Sequence, residues 1–186
     1  TMVVLRGPQG ILKSTALNII GGPFYVDANE SIRSKDFFIT LQGKLIIEIA
    51  ELDSFTKADT TRIKQVISCQ VDRYRTPFDT YAADHPRQCV FVGTTNHMTW
   101  SRDDTGARRF WPIDCVEEIR IDLIKENRSQ YFAEAIVKFK EGSSWWEMPL
   151  EETLAKQETV REEDVWMEAI KEFLKGQNEV TIRELL

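Results

Sequence analysis

Lys13 and Ser14 directly follow Gly-Pro-Gln-Gly-Ile-Leu at positions 7–12, an order of residue types suited to holding a phosphate. An apolar run, Met2 to Leu5, comes before this segment, and a helix-compatible run, Thr15 to Ile20, comes after it. Strand, glycine-bearing loop and helix in that order bring backbone N–H groups and the positive end of a helix dipole to one point. In such a loop the lysine ammonium reaches the β- and γ-phosphates, and the next hydroxyl ligates Mg²⁺. The expected binding residues are Gly7, Gln9, Gly10, Leu12, Lys13, Ser14 and Thr15. Leu12 stands where the usual pattern has glycine, so a branched side chain must accept a turn that glycine makes freely. The competing account is an ordinary strand-to-helix turn with no ligand.

A site that hydrolyses a nucleotide also needs an acid near the metal, at the end of a buried strand. Lys44 to Ala50 is an apolar, β-branched run of strand length, and Glu51 lies just past it. Glu51 is therefore the first candidate to polarise water or hold Mg²⁺. Glu48 lies inside the run and is the second; a buried carboxylate there needs a partner, and a structural ion pair is the alternative. Asp53 comes third and reads more simply as a helix-proximal cap. Gln88 to Thr94 is another buried-strand candidate, and Asn96 at its tip is placed to bond water or a γ-phosphate. An Asx turn closing that strand would use the same residue. Arg108 and Arg109 lie beside Phe110 and Trp111, either as stacked surface residues or as an arginine finger from a neighbouring subunit. Between the two inner strands, Arg73, Arg75 and Arg87 interleave with Tyr74, Phe78 and Tyr81. Arginines meet phosphates and aromatics stack on bases, although Asp72, Asp79 and Asp84 dilute the charge.

The elements that must carry these residues alternate. Helices are expected over 15–20, 34–41, 56–68, 122–140, 151–161 and 164–175, with a further start at 181–186. Strands are expected over 2–5, 44–50, 88–94 and 109–113, with a hairpin or extended excursion over 70–86. In the helix at 122–140, Leu123, Tyr131, Ala135 and Phe139 fall at helical spacing. This order predicts an α/β fold with a mainly parallel three-layer sandwich and a small C-terminal helical extension. A chain of 186 residues holds one sizeable core and a small appendage.

Composition, 42% hydrophobic and 29% charged, is that of a globular protein, with no membrane-spanning run and no visible signal peptide. Cys69, Cys89 and Cys115 are far apart and lack metal-ligand spacing, which makes a reducing cytoplasm the expectation. The net charge of −6 argues against a uniformly basic surface. Residues 1–115 carry a balance of +1 and residues 116–186 a balance of −7, so a local basic track is available only to the first part. A strand that begins almost at residue 1 suggests a piece of a longer protein.

Taken in order, these segments resemble the superfamily-three helicases and, more closely, the virulence-associated protein E family of phage and prophage P-loop ATPases. The matching strings are Gly-Pro-Gln-Gly at 7–10, Lys-Ser-Thr at 13–15, Glu-Ile-Ala-Glu-Leu at 48–52, Asp-Arg-Tyr-Arg at 72–75, Gly-Thr-Thr-Asn at 93–96 and Thr-Gly-Ala-Arg-Arg-Phe-Trp-Pro at 105–112. The resemblance implies a P-loop NTPase fold of AAA+ type over residues 1–146. It implies that residues 147–186 begin a truncated, winged-helix-like region. It implies an ATP- and Mg²⁺-dependent helicase or translocase for phage or mobile-element DNA replication, often linked to a primase-like domain. Lys13 and Ser14 would bind phosphates and Mg²⁺, and Glu51 with Glu48 would fill the acidic role. Asn96 would be the sensor, and Arg108 or Arg109 the finger in trans. Lys64, Arg73, Arg75 and Arg87 would line the nucleic-acid side of a homo-oligomeric ring, a hexamer, on single-stranded or forked DNA. Leu12 leaves a second reading open, a nucleotide-binding assembly or regulatory module with weakened hydrolysis. A nucleoside kinase explains neither Gly-Thr-Thr-Asn nor the paired arginines.

Overall fold

In the computed structural model, residues 1–28, 32, 34, 36–100, 109–144, 147, 155–156, 159 and 172–175 are described. The strands are β1 Met2–Arg6, β2 Tyr25–Asp27, β3 Ile46–Ile49, β4 Val71–Tyr74, β5 Ala83–Pro86, β6 Val90–Thr95 and β7 Phe110–Asp114. The helices are α1 Lys13–Gly21, α2 Phe37–Thr40, α3 Lys57–Ser68 and α4 Ile121–Lys140. Five strands form one sheet in the order β2-β3-β6-β1-β7, and every neighbouring pair in it is parallel. The strands β4 and β5 form a separate antiparallel hairpin.

Apolar burial on both faces explains the parallel sheet, since all four residues of β3 are buried. Alternation along the strands divides the core into two clusters. One face carries Met2, Val4, Ile47, Ile49 and Phe91 against Phe37 and the α3 stripe of Ile63, Val66 and Ile67. The other carries Val3, Leu5, Ile46, Val92 and Tyr25 against Leu17 and Ile20 of α1. Glu48 has the parity of Ile46, so its side chain belongs to the α1 face. A reciprocal capping box starts α3: Asp59 N–H donates to Thr56 Oγ1 at 3.3 Å, and Thr56 N–H donates to Asp59 Oδ2 at 3.1 Å.

Three features depart from the sequence expectation. The strand β2, three residues after Gly22, is too short to show a period, yet it forms the sheet edge beside β3. In α4, Leu123, Tyr131 and Phe139 are exposed; the helix instead docks on α1 through another stripe, where Arg128 Nε donates to the Ile20 carbonyl at 2.9 Å. The helix α2 starts at Phe37 rather than Ser34, and Ser34 Oγ accepts from Asp36 N–H at 3.1 Å. Among the described residues no helix is long and apolar enough to cross a membrane, and Cys69, Cys89 and Cys115 are free thiols. Arg108, the helices expected at 151–161 and 164–175, and the start at 181–186 lie wholly or mostly outside the described residues.

Candidate phosphate-binding cleft

The loops leaving the C-terminal ends of β1, β2, β3 and β6 meet at one end of the sheet, the position where parallel α/β sheets hold ligands. They enclose a cleft of about 410 Å³ whose walls include Gly10, Leu12, Lys13, Ser14, Asp27, Glu51, Thr94 and Asn96. Backbone geometry shapes the loop after β1. A Cβ on Gly7 would stand 2.1 Å from the Cys115 carbonyl oxygen, so only glycine lets the loop pass the end of β7. Leu12 is left-handed, with φ 67° and ψ 28°, at the N-cap of α1, and its carbonyl accepts the Ala16 N–H at 2.9 Å. The leucine thus takes the conformation that a glycine takes without strain.

Lys13, the first residue of α1, is buried and its ammonium points back into the loop. Its Nζ donates to the Gly7 carbonyl at 2.7 Å, the Pro8 carbonyl at 2.8 Å and Asn96 Oδ1 at 3.1 Å. Residues separated by 83 positions therefore meet at one amine. Burial lowers the Lys13 pKa, opposed by the charges of Cys115, Asp53 and Glu48. The loop is tied down beneath: Arg6 is buried, ion-paired with Asp114, and donates to the Met98 carbonyl at 3.0 Å.

Glu48 is fully buried, and hydroxyls solvate both of its carboxylate oxygens. Its Oε1 accepts from Ser14 at 2.6 Å and Thr94 at 2.7 Å, and its Oε2 accepts from Tyr25 at 2.5 Å. The partner that a buried glutamate requires is thus a ring of hydroxyls rather than a cation. Burial, reinforced by Glu48, pushes the Tyr25 phenol well above its ordinary pKa. Glu51 is exposed in a left-handed turn, φ 52°, on the cleft wall. Burial first, then the charges of Glu48 and Glu51, pushes the Asp27 carboxyl up. Burial also pushes Asp53 up, but hydrogen bonds from Thr95 Oγ1 at 2.6 Å and from backbone N–H groups, with His97 nearby, outweigh it and hold Asp53 below its usual value.

The structure therefore joins Lys13, Ser14, Glu48, Glu51 and Asn96 in one cleft, with Glu48 rather than Glu51 bonded to Ser14. Tyr25, Thr94, Thr95 and Asp27 join them without having been singled out. The Gly-Thr-Thr-Asn string held a signal for the threonines, whereas three-residue β2 held none for Tyr25 and Asp27. Among the described residues, no group of three or more His, Cys, Asp or Glu is arranged as a metal cage. Arg109 lies elsewhere: Phe110 pairs with Met2 at the opposite end of β1 from the loop, about 13 Å away along the strand. Its Nε donates to Ser68 Oγ at 2.9 Å, away from this cleft.

The expected nucleic-acid residues also separate. Lys64 is buried with its amine 5.9 Å from the Phe110 ring centroid, and Arg87 is buried in an ion pair with Asp72. Those two are corrected from phosphate contacts to internal supports, because their charges do not face solvent. Arg73 and Arg75 are exposed on the hairpin, with Arg73 bonded to Asp84 at 2.7 Å.

A model of the virulence-associated protein E-like domain matches residues 1–180. Among curated proteins none matches. The fold is similar to the apo structure of the NrS-1 C-terminal region (305–718), at a TM-score of 0.56 and 16% identity over 98% of this chain and 51% of that one. It is also similar to the A form apo structure of the same region, at a TM-score of 0.51 and 17% identity over 70% of this chain and 35% of that one. The chain thus spans about half or less of the length of these structures.

Proposed function

The chain belongs to the virulence-associated protein E-like domain family, and from that premise we propose that it is the ATP-hydrolysing module of a helicase or translocase acting in phage or mobile-element DNA replication. One observation carries the reading: the Lys13 amine, at the N-terminus of α1, is bonded to Asn96 from the tip of β6, beside the Ser14–Glu48 pair. The sheet order, with the loop-bearing strand between β6 and β7, supports a P-loop NTPase sandwich of AAA+ type.

In this reading Lys13, the loop from Gly7 to Leu12 and Thr15 grip the triphosphate of ATP. Lys13 exchanges a loop carbonyl for a phosphate oxygen. Ser14 and exposed Glu51 would offer hard oxygen donors that fit Mg²⁺, which when bound would neutralise phosphate charge. With Glu48 saturated by hydroxyls, it orients Ser14, while exposed Glu51 is the carboxylate free to polarise the attacking water. Asn96 positions that water or the γ-phosphate, and Arg109 or Arg108 enters the neighbouring subunit's site as a finger. The homo-oligomeric ring, a primase-like partner and single-stranded or forked DNA belong to the same proposal. Lys13→Ala is expected to abolish ATP turnover while leaving thermal stability measurable; unchanged turnover would exclude the site as drawn. DNA-stimulated turnover distinguishes the motor from its alternative.

The alternative is a nucleotide-binding assembly or regulatory module with weak hydrolysis. A specific observation favours it: all three Lys13 N–H donors already have protein acceptors, and Leu12 holds a strained backbone. Tight triphosphate binding without turnover in the assembled protein would select this reading.

A further inference from the structure

We propose that the β4–β5 hairpin engages single-stranded nucleic acid chiefly by stacking Phe78 and Tyr81 on bases, not by neutralising phosphates. This deepens the DNA-facing part of the reading above and does not depend on hydrolysis. Phe78 is 106% exposed and Tyr81 82% exposed, both in the loop joining the two strands. Phe78 also has φ 73°, in a turn closed by Asp79 N–H donating to the Thr76 carbonyl at 3.1 Å. A phenylalanine there gains nothing from burial and takes a backbone shape that favours glycine. Both terms work against stability, and a strained residue without packing compensation points to function.

The body beneath the tip is packed, and all but one of its arginine charges are paired. Tyr74 is stacked between His85, at 4.0 Å, and Phe38, at 6.2 Å. From Val71 to Pro86 the hairpin holds two arginines against three aspartates. Arg73 is matched across the strands by Asp84, and Arg87 just beyond is buried against Asp72. Among the described residues only Arg75 lacks a carboxylate partner on this element. One cation beside two open aromatic faces fits a base-stacking platform, which tolerates any sequence because every base has a π face. A duplex hides those faces, so a single strand is the partner.

The test measures binding of the full chain, without nucleotide, to a thymidine oligonucleotide and to one of equal length whose central nucleotides are abasic. The abasic strand keeps the phosphates and loses the stacking partners. Binding is expected to weaken roughly 5- to 150-fold in Tyr81→Ala, the span of one lost stack, and further on base removal, which takes both stacks. The slope of log K against log salt is expected near −0.7, as for one phosphate on a single strand. Phe78→Gly is expected to melt no lower than the parent while losing the same binding, which separates contact from folding. Equal affinity for the abasic strand, a slope steeper than about −2, a larger loss in Arg73→Ala than in Phe78→Gly, or no binding of the parent chain would each overturn the proposal. None of these outcomes bears on whether Lys13 supports ATP turnover.

Discussion

Substituting Leu12 by glycine and, separately, by alanine isolates the backbone of the loop, because both changes remove the same side chain. At an ordinary helical or extended position, glycine is about 0.5–1 kcal/mol less stable than alanine, owing to the entropy it loses on folding. At φ 67° and ψ 28° the order is expected to invert. Left-handed backbone costs a residue bearing a Cβ about 1–2 kcal/mol, and alanine keeps that cost while glycine sheds it. Set against the entropy term, Leu12→Gly should exceed Leu12→Ala in stability by roughly 1 kcal/mol. In a chain of this size that is a difference of about 2–4 °C in melting temperature. The Leu12 carbonyl accepts the Ala16 N–H that opens α1, so the strain sits at the hinge that aims Lys13 and Ser14. Paired calorimetric melts of the two variants give the comparison directly. Alanine equal to or above glycine would mean that position 12 is not left-handed, and the reading of the loop would fail with it.

Other substitutions follow from the same geometry. Glu48→Ala leaves the Ser14, Thr94 and Tyr25 hydroxyls without their shared acceptor and should cost about 1–3 kcal/mol in urea unfolding, whereas Glu51→Ala, exposed, should cost under about 0.5 kcal/mol. Arg87→Ala strands a buried Asp72 and should cost about 3–5 kcal/mol, while Arg73→Ala, from an exposed pair, should cost no more than about 1 kcal/mol. Asp27 has a raised pKa, so its protonated form stabilises below the unfolded value and that contribution is lost as pH rises through the folded value. Asp27→Asn should therefore raise the melting temperature at pH 7 and bring no gain at about pH 4; a gain of equal size at both would refute the assignment. Asp53 has a lowered pKa and behaves oppositely: its contribution is present at neutral pH and lost on acidification, and Thr95→Val should shrink that acid-side loss.

The candidate cleft was legible because chemistry-bearing residues follow directly on long apolar runs. Glu51 after β3 and Asn96 after β6 sit where a buried strand must surface, and Lys13 sits where a glycine-bearing loop must turn into a helix. Glu48 was legible as a problem, a carboxylate inside a buried strand, but its solution came from three elements that no local pattern links. The residue that completes its shell, Tyr25, lies on a strand too short to show alternation. Two basic residues flanking the hairpin misled for a related reason. Arg87 and Lys64 look like surface cations in sequence, and only the fold sets Asp72 against one and Phe110 under the other. In α4 the helix was evident, but which stripe faces inward depended on Arg128 reaching Ile20, a tertiary choice.

The central claim is that the Lys13–Asn96 cleft grips a triphosphate. Calorimetric titration of a non-hydrolysable ATP analogue with Mg²⁺ into the full chain, repeated with Lys13→Ala and Asn96→Ala, tests it apart from turnover and assembly. The account predicts saturable binding to the parent, its loss in Lys13→Ala and a weaker grip in Asn96→Ala, with all three proteins folded by their melts. Binding that survives the loss of the Lys13 amine unchanged, or a parent chain that binds no nucleotide, would contradict it.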